Sequence, residues 1–101
     1  MDRDPAALVR LRVAQRIRLL RLLRGWSQER FAEACAMHRS YVGAVERAER
    51  NLTLDSLVRI AAALDVPLEA LVSEHPPDWS GWLPADRIRE PHVGYVPAVL
   101  H

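Results

Sequence analysis

Guanidinium groups dominate the polar chemistry of this 101-residue sequence: all fourteen basic residues are arginine, set against thirteen carboxylates. Residues 1–50 carry eleven arginines against six acids, a net of +5, and residues 51–101 carry three against seven, a net of −4. A basic half of this kind permits a polyanion partner, although a solvated, arginine-rich helix surface has the same composition. Other chemistry is sparse. Histidines stand at 38, 75, 92 and 101, with no HExxH, no glycine-rich phosphate loop and no GxSxG. Cys35 and His38 share a CxxH spacing. Cys35, however, falls in an apolar slot of the kind free thiols commonly fill, so no metal and no cofactor is expected. With one cysteine there is no disulfide within the chain. These absences argue against an enzyme.

The chemistry has to be held by helices. From Pro5 to Arg24 there is no internal proline or glycine and good helix formers prevail. Asp4 followed by Pro5 is a start signal and Gly25 a stop signal. Val13, Ala14, Ile17 and Leu20 make one apolar face. Leu8, Leu11, Leu19 and Leu22 make a second stripe that needs a cover. Ser27 caps a second helix of about eight residues with Phe31, Ala32 and Cys35 inward. After a tight turn at 36–38, a third helix from Arg39 to about Arg47 turns Val42 and Val45 inward and Arg39, Ser40, Gly43, Ala44 and Arg47 outward. Thr53 caps a fourth helix, with Leu57, Ile60, Ala61 and Leu64 buried, and Pro67 opens a fifth with Leu68, Leu71 and Val72. Five short helices with short links predict a compact all-α domain over residues 5–73.

Composition changes after Ser73. Residues 73–101 hold five prolines together with Trp79 and Trp82, which excludes a long helix and makes plain disorder a poor fit. Residues 74–101 are therefore expected to be a C-terminal extension that packs on Leu8, Leu11, Leu19 and Leu22 of the same chain or of a dimer partner, with Trp79 and Trp82 supplying much of the contact. No run reaches the roughly 18 apolar residues of a membrane span. The acidic, polar start lacks the apolar stretch of a signal peptide, so a cytoplasmic protein is expected.

Helices two and three carry the most information. Apolar residues at 31, 35, 37, 42 and 45 with a small residue at 32 suit two short helices crossing steeply and packing on a third. That is the spacing of a DNA-binding helix-turn-helix, and equally that of an ordinary helical hairpin. The wording of the segment separates the two. Arg21-x-x-x-Gly25-x-Ser27-Gln28-x-x-Phe31-Ala32, His38-Arg39-Ser40-Tyr41-Val42-x-x-Val45-Glu46-Arg47, and Asn51-x-Thr53-Leu54-x-x-Leu57-x-x-Ile60-Ala61-x-x-Leu64-x-Val66 together resemble the XRE-type, phage-repressor and Cro-like helix-turn-helix family over about residues 13–72.

The resemblance implies a five-helix, lambda-repressor-like fold that binds double-stranded DNA as a homodimer and regulates transcription. It implies base contacts from Arg39, Ser40, Gly43 and Ala44 at the start of the third helix, where an arginine can bond O6 and N7 of guanine. Gly43 and Ala44 could offer only close approach or thymine-methyl contact. It implies phosphate contacts from Ser27 and Gln28 at the start of helix two and from Arg47, Arg50 and Asn51 after helix three. His38 either caps the third helix or reaches DNA, and the Tyr41 ring either packs on the domain or lends its hydroxyl to a phosphate. Arg21 and Glu46 are implied to form an ion pair between helices one and three. Ala36 and Ala48 stand where the family commonly has glycine, so either they take a left-handed backbone or helix three runs on past Ala48. A repressor, an autoregulator beside a restriction-modification gene pair and a phage repressor all fit. The alternative is a protein-interaction module, such as an antitoxin or a regulatory partner subunit.

Overall fold

A computed structural model describes residues 4–75, and those residues contain five helices: α1 (Pro5–Leu23), α2 (Gln28–Cys35), α3 (Arg39–Glu46), α4 (Leu54–Leu64) and α5 (Glu69–Val72). The extension, with Trp79 and Trp82, lies almost wholly outside the described residues. The first four helices start on side-chain caps. Asp4 accepts from the Ala6 amide (3.1 Å), Ser27 from Arg30 (3.0 Å), His38 Nδ1 from Ser40 (3.2 Å) and Thr53 from Ser56 (3.0 Å). Each cap satisfies an amide that has no partner inside its helix. Helix α5 is shorter than expected. Pro67 does not begin it but accepts from the Ala70 amide across a single tight turn (2.9 Å).

Helices α1 to α4 also stop in the same way, on a residue with left-handed backbone: Gly25 (φ 73°), Ala36 (φ 56°), Ala48 (φ 61°) and Asp65 (φ 59°). In each case the next amide reaches back to a carbonyl of the last helical turn, as Met37 does to Ala32 (2.9 Å) and Glu49 to Ala44 (2.9 Å). The choice left open at Ala48 is thereby settled, since α3 ends at Glu46 and does not run on. An alanine in this conformation carries about 1–2 kcal/mol of steric strain that glycine lacks. Glycine loses roughly 0.4–1 kcal/mol of that advantage through its freer unfolded chain. Ala36→Gly and Ala48→Gly are therefore each expected to raise stability by about 0.5–1 kcal/mol in denaturant titration. A loss of stability in both variants would contradict the strain.

The core is a single cluster in which Ile17, Leu20, Phe31, Val42, Ile60, Leu64 and Leu71 are almost wholly shielded from solvent. Helix α1 lies along α3, α4 and α5, and α2 crosses between α3 and α4. Cys35 belongs to this core, and burial pushes its thiol up to about 12 against the opposing pull of Arg59. Three arginines close helix ends from a distance. Arg24 donates to the Leu64 carbonyl, Arg59 to Cys35 and Ala36, and Arg16 to Ala70 and Ser73. Cations on the last carbonyls of a helix match both the unpaired acceptors and the negative end of its dipole. Part of the positive charge of the first half is thus structural.

Candidate nucleic-acid interface

Helix α3 is held from behind by one carboxylate. Glu46, its last residue, accepts from Arg21 Nε (2.6 Å) and Nη2 (3.0 Å) and from the Gln28 amide (3.1 Å), and the side chains of Arg21 and Glu46 are more than nine-tenths buried. Arg21 also donates to the Trp26 carbonyl (2.8 Å). One guanidinium therefore ties α1 to the end of α3 and to the turn before α2. A two-pronged arginine–carboxylate contact has directional preference as well as charge, so it fixes the angle of α3.

What this scaffold presents is the first turn of α3. Arg39 and Ser40 are exposed and Ala44 is half-buried one turn on. Arg39 is two-thirds exposed and lies 3.8 Å from Glu29 on α2, a contact worth little in water. His38 is the helix cap: the Ser40 amide donates to Nδ1, and the Ser40 hydroxyl sits 2.7 Å from the same nitrogen. His38 is exposed while Cys35 points into the core, so the CxxH spacing does not form a ligand pair. Tyr41 packs its ring on the core cluster and carries Arg50 over its outer face at 5.1 Å.

Gly43 corrects the sequence reading, which turned it outward. It is buried, and a Cβ there would stand 3.1 Å from Arg47 Nη1 and 3.7 Å from Gln28 Oε1. The bare backbone is the floor on which the Gln28 and Arg47 side chains lie. Arg47 is exposed and ion-paired with Glu49 (3.1 Å). Asn51 accepts from Arg10 of α1 (2.8 Å), which pins the loop after α3. Ser27 is exposed at the start of α2 and holds its cap.

Ser27, His38, Arg39, Ser40, Tyr41 and Arg47 thus lie on α2, on α3 or at their ends, with Arg50 over Tyr41, whereas Asn51 is turned toward Arg10 of α1. The structure shows roles that no local pattern signals, namely the Gln28–Glu46 and Arg10–Asn51 bonds and the stacking of Arg50 on Tyr41. No group of three or more His, Cys, Asp or Glu side chains clusters among the described residues, and no described helix is long and apolar enough to cross a membrane.

A helix-turn-helix family model, HTH_3, matches residues 17–71. The control protein C.SmaI of Serratia marcescens is 41% identical over 61 residues, covering 60% of this chain and 73% of that protein. The crystal structure of the restriction-modification controller protein C.AhdI from Aeromonas hydrophila is similar at 42% identity with a TM-score of 0.60, covering 61% of this chain and 94% of that one. That of the hypothetical transcription factor NHTF from Neisseria is similar at 38% identity with a TM-score of 0.64, covering 76% and 87%. These relatives are control proteins and a transcription factor, not enzymes.

Proposed function

The chain belongs to the helix-turn-helix family HTH_3, and we propose that it binds double-stranded DNA sequence-specifically as a homodimer and controls transcription in the cytoplasm, as a repressor or autoregulator of the restriction-modification controller kind. The carrying observation is the exposed first turn of α3, with Arg39 and Ser40, braced from behind by the Arg21–Glu46–Gln28 network. In this reading that turn enters the major groove. Arg39 bonds a guanine edge, and Ala44 meets a thymine methyl. The Ser40 hydroxyl, 2.7 Å from His38 Nδ1, hydrogen-bonds a base edge. Ser27 and Gln28 hold one phosphate stretch at the positive end of α2, with His38 Nε2–H and the Tyr41 hydroxyl beside it. Arg47, Arg50 and Asn51 hold the backbone on the other side of the groove.

One helix pair covers one major-groove face, so two copies must present α3 about 34 Å apart. Footprinting tests this and is expected to show two symmetric half-sites about 10 base pairs apart or a multiple. Binding should weaken steeply with salt as counterions are released. Gln28→Ala should lower affinity for all sequences by a similar factor, because both the phosphate contact and the donor to Glu46 that it removes carry no base information. A short footprint without symmetry would overturn the dimer. Failure to bind any duplex in low salt would favour the protein-interaction module.

A further inference from the structure

The outer face of α1 is apolar where the domain leaves it uncovered. Leu8, Leu11, Leu19 and Leu22 are each between 43% and 53% exposed although the helix packs its other face fully into the core. We propose that residues 76–101 of the same chain dock along this stripe and complete the domain, an inference independent of DNA binding.

Three observations select that occupant. The first is where the chain arrives. Arg16, at the middle of α1, donates to the Ser73 carbonyl (2.6 Å) and to the His75 carbonyl (3.2 Å), which lays the last described residues against α1. At about 100° per residue, the four leucines stand about 60° to 140° round the helix from Arg16, away from the core. The segment after His75 therefore starts at the edge of the stripe.

The second is length and composition. Helix α1 is about 28 Å long, and 26 residues can extend to roughly 85 Å, enough to run its length and return. Those residues contain Trp79, Trp82, Leu83, Ile88, Tyr95 and Leu100.

The third is charge. Helix α1 carries five arginines, at 10, 12, 16, 18 and 21, and no acid. Of these, Arg12 and Arg18 flank the leucine stripe, whereas Arg21 is paired with Glu46 and Arg10 with Asn51, so a second copy of α1 laid there would set Arg12 and Arg18 against the same cations of its partner. The 76–101 segment instead carries three acids, Asp78, Asp86 and Glu90, against two arginines, Arg87 and Arg89, a net of −1 that avoids this repulsion.

The test uses the full chain with 5-fluorotryptophan, whose three fluorine resonances are assigned with Trp79→Phe and Trp82→Phe. Trp26, which packs on Phe31 in the described domain, reports that the fold is intact. In the unaltered chain the Trp79 and Trp82 signals are expected to show a small solvent isotope shift. Combining Leu19→Glu with Leu22→Glu should raise that shift at least threefold and leave Trp26 unmoved. Equal shifts with and without the two glutamates would overturn the proposal. Adding unlabelled, unaltered chain to the labelled double variant separates the remaining sources. No recovery of protection supports docking within one chain, whereas recovery assigns the stripe to the partner's segment and overturns it.

Discussion

Replacing Arg21 with alanine is expected to lower stability by about 3–5 kcal/mol, because it leaves the Glu46 carboxylate buried without its counter-charge. The cause is local and severe. Glu46 would keep only the Gln28 amide, and the Trp26 carbonyl would lose its donor as well. For a domain of this size, 1 kcal/mol corresponds to roughly 4–8 °C in melting temperature, so thermal unfolding followed by circular dichroism should show a fall of tens of degrees or no folded baseline. A double change of Arg21→Met with Glu46→Met should recover part of the loss, since removing both charges removes the desolvation penalty. An Arg21→Ala variant that melts within about 1 kcal/mol of the parent would mean that the pair is not buried as described. DNA affinity would fall with it, as a consequence of losing the angle of α3.

Arg39→Ala is expected to do the opposite, leaving the fold intact and altering what it recognises. Its side chain is two-thirds exposed with only a long contact to Glu29, so stability should change by no more than about 0.5 kcal/mol. If the guanidinium reads a guanine, its loss removes about 1–3 kcal/mol of discrimination at one base pair, roughly 5- to 150-fold. Affinities of parent and variant for the operator and for each single-base substitution, at one fixed salt concentration, decide the matter. The variant should become indifferent at one position of each half-site and keep the parent's weak binding to unrelated DNA. A similar loss for every substituted site would make Arg39 a phosphate contact.

These two arginines, eighteen residues apart, show where sequence reasoning reached and where it stopped. The outward place of Arg39 was legible because it follows from local rules: a tight turn before it and an apolar period that leaves its face outward. The same rules located the caps Asp4, Ser27 and Thr53 and the inward residues Ile17, Phe31, Val42 and Ile60. Arg21 was paired with Glu46 only through the likeness to other sequences, since no periodicity joins residues 25 positions apart. Trp79 and Trp82 were singled out by composition, and they lie outside the described residues.

By itself the sequence determined that there are five helices, where the capped ones begin and most of their buried faces, because caps and helical periodicity act over about four residues. Only the tertiary structure decided which polar groups close those helices on one another. It turned Gly43 inward beneath Gln28 and Arg47, and gave the Gln28 amide to Glu46. It placed Arg16, Arg24 and Arg59 on helix ends 23 to 57 residues away, and held Ala36 and Ala48 in a conformation that alanine alone resists. The physical reason is range. A buried carbonyl or carboxylate takes whatever donor the packed helices bring within 3 Å, and that donor is set by how the helices cross, not by its distance along the chain.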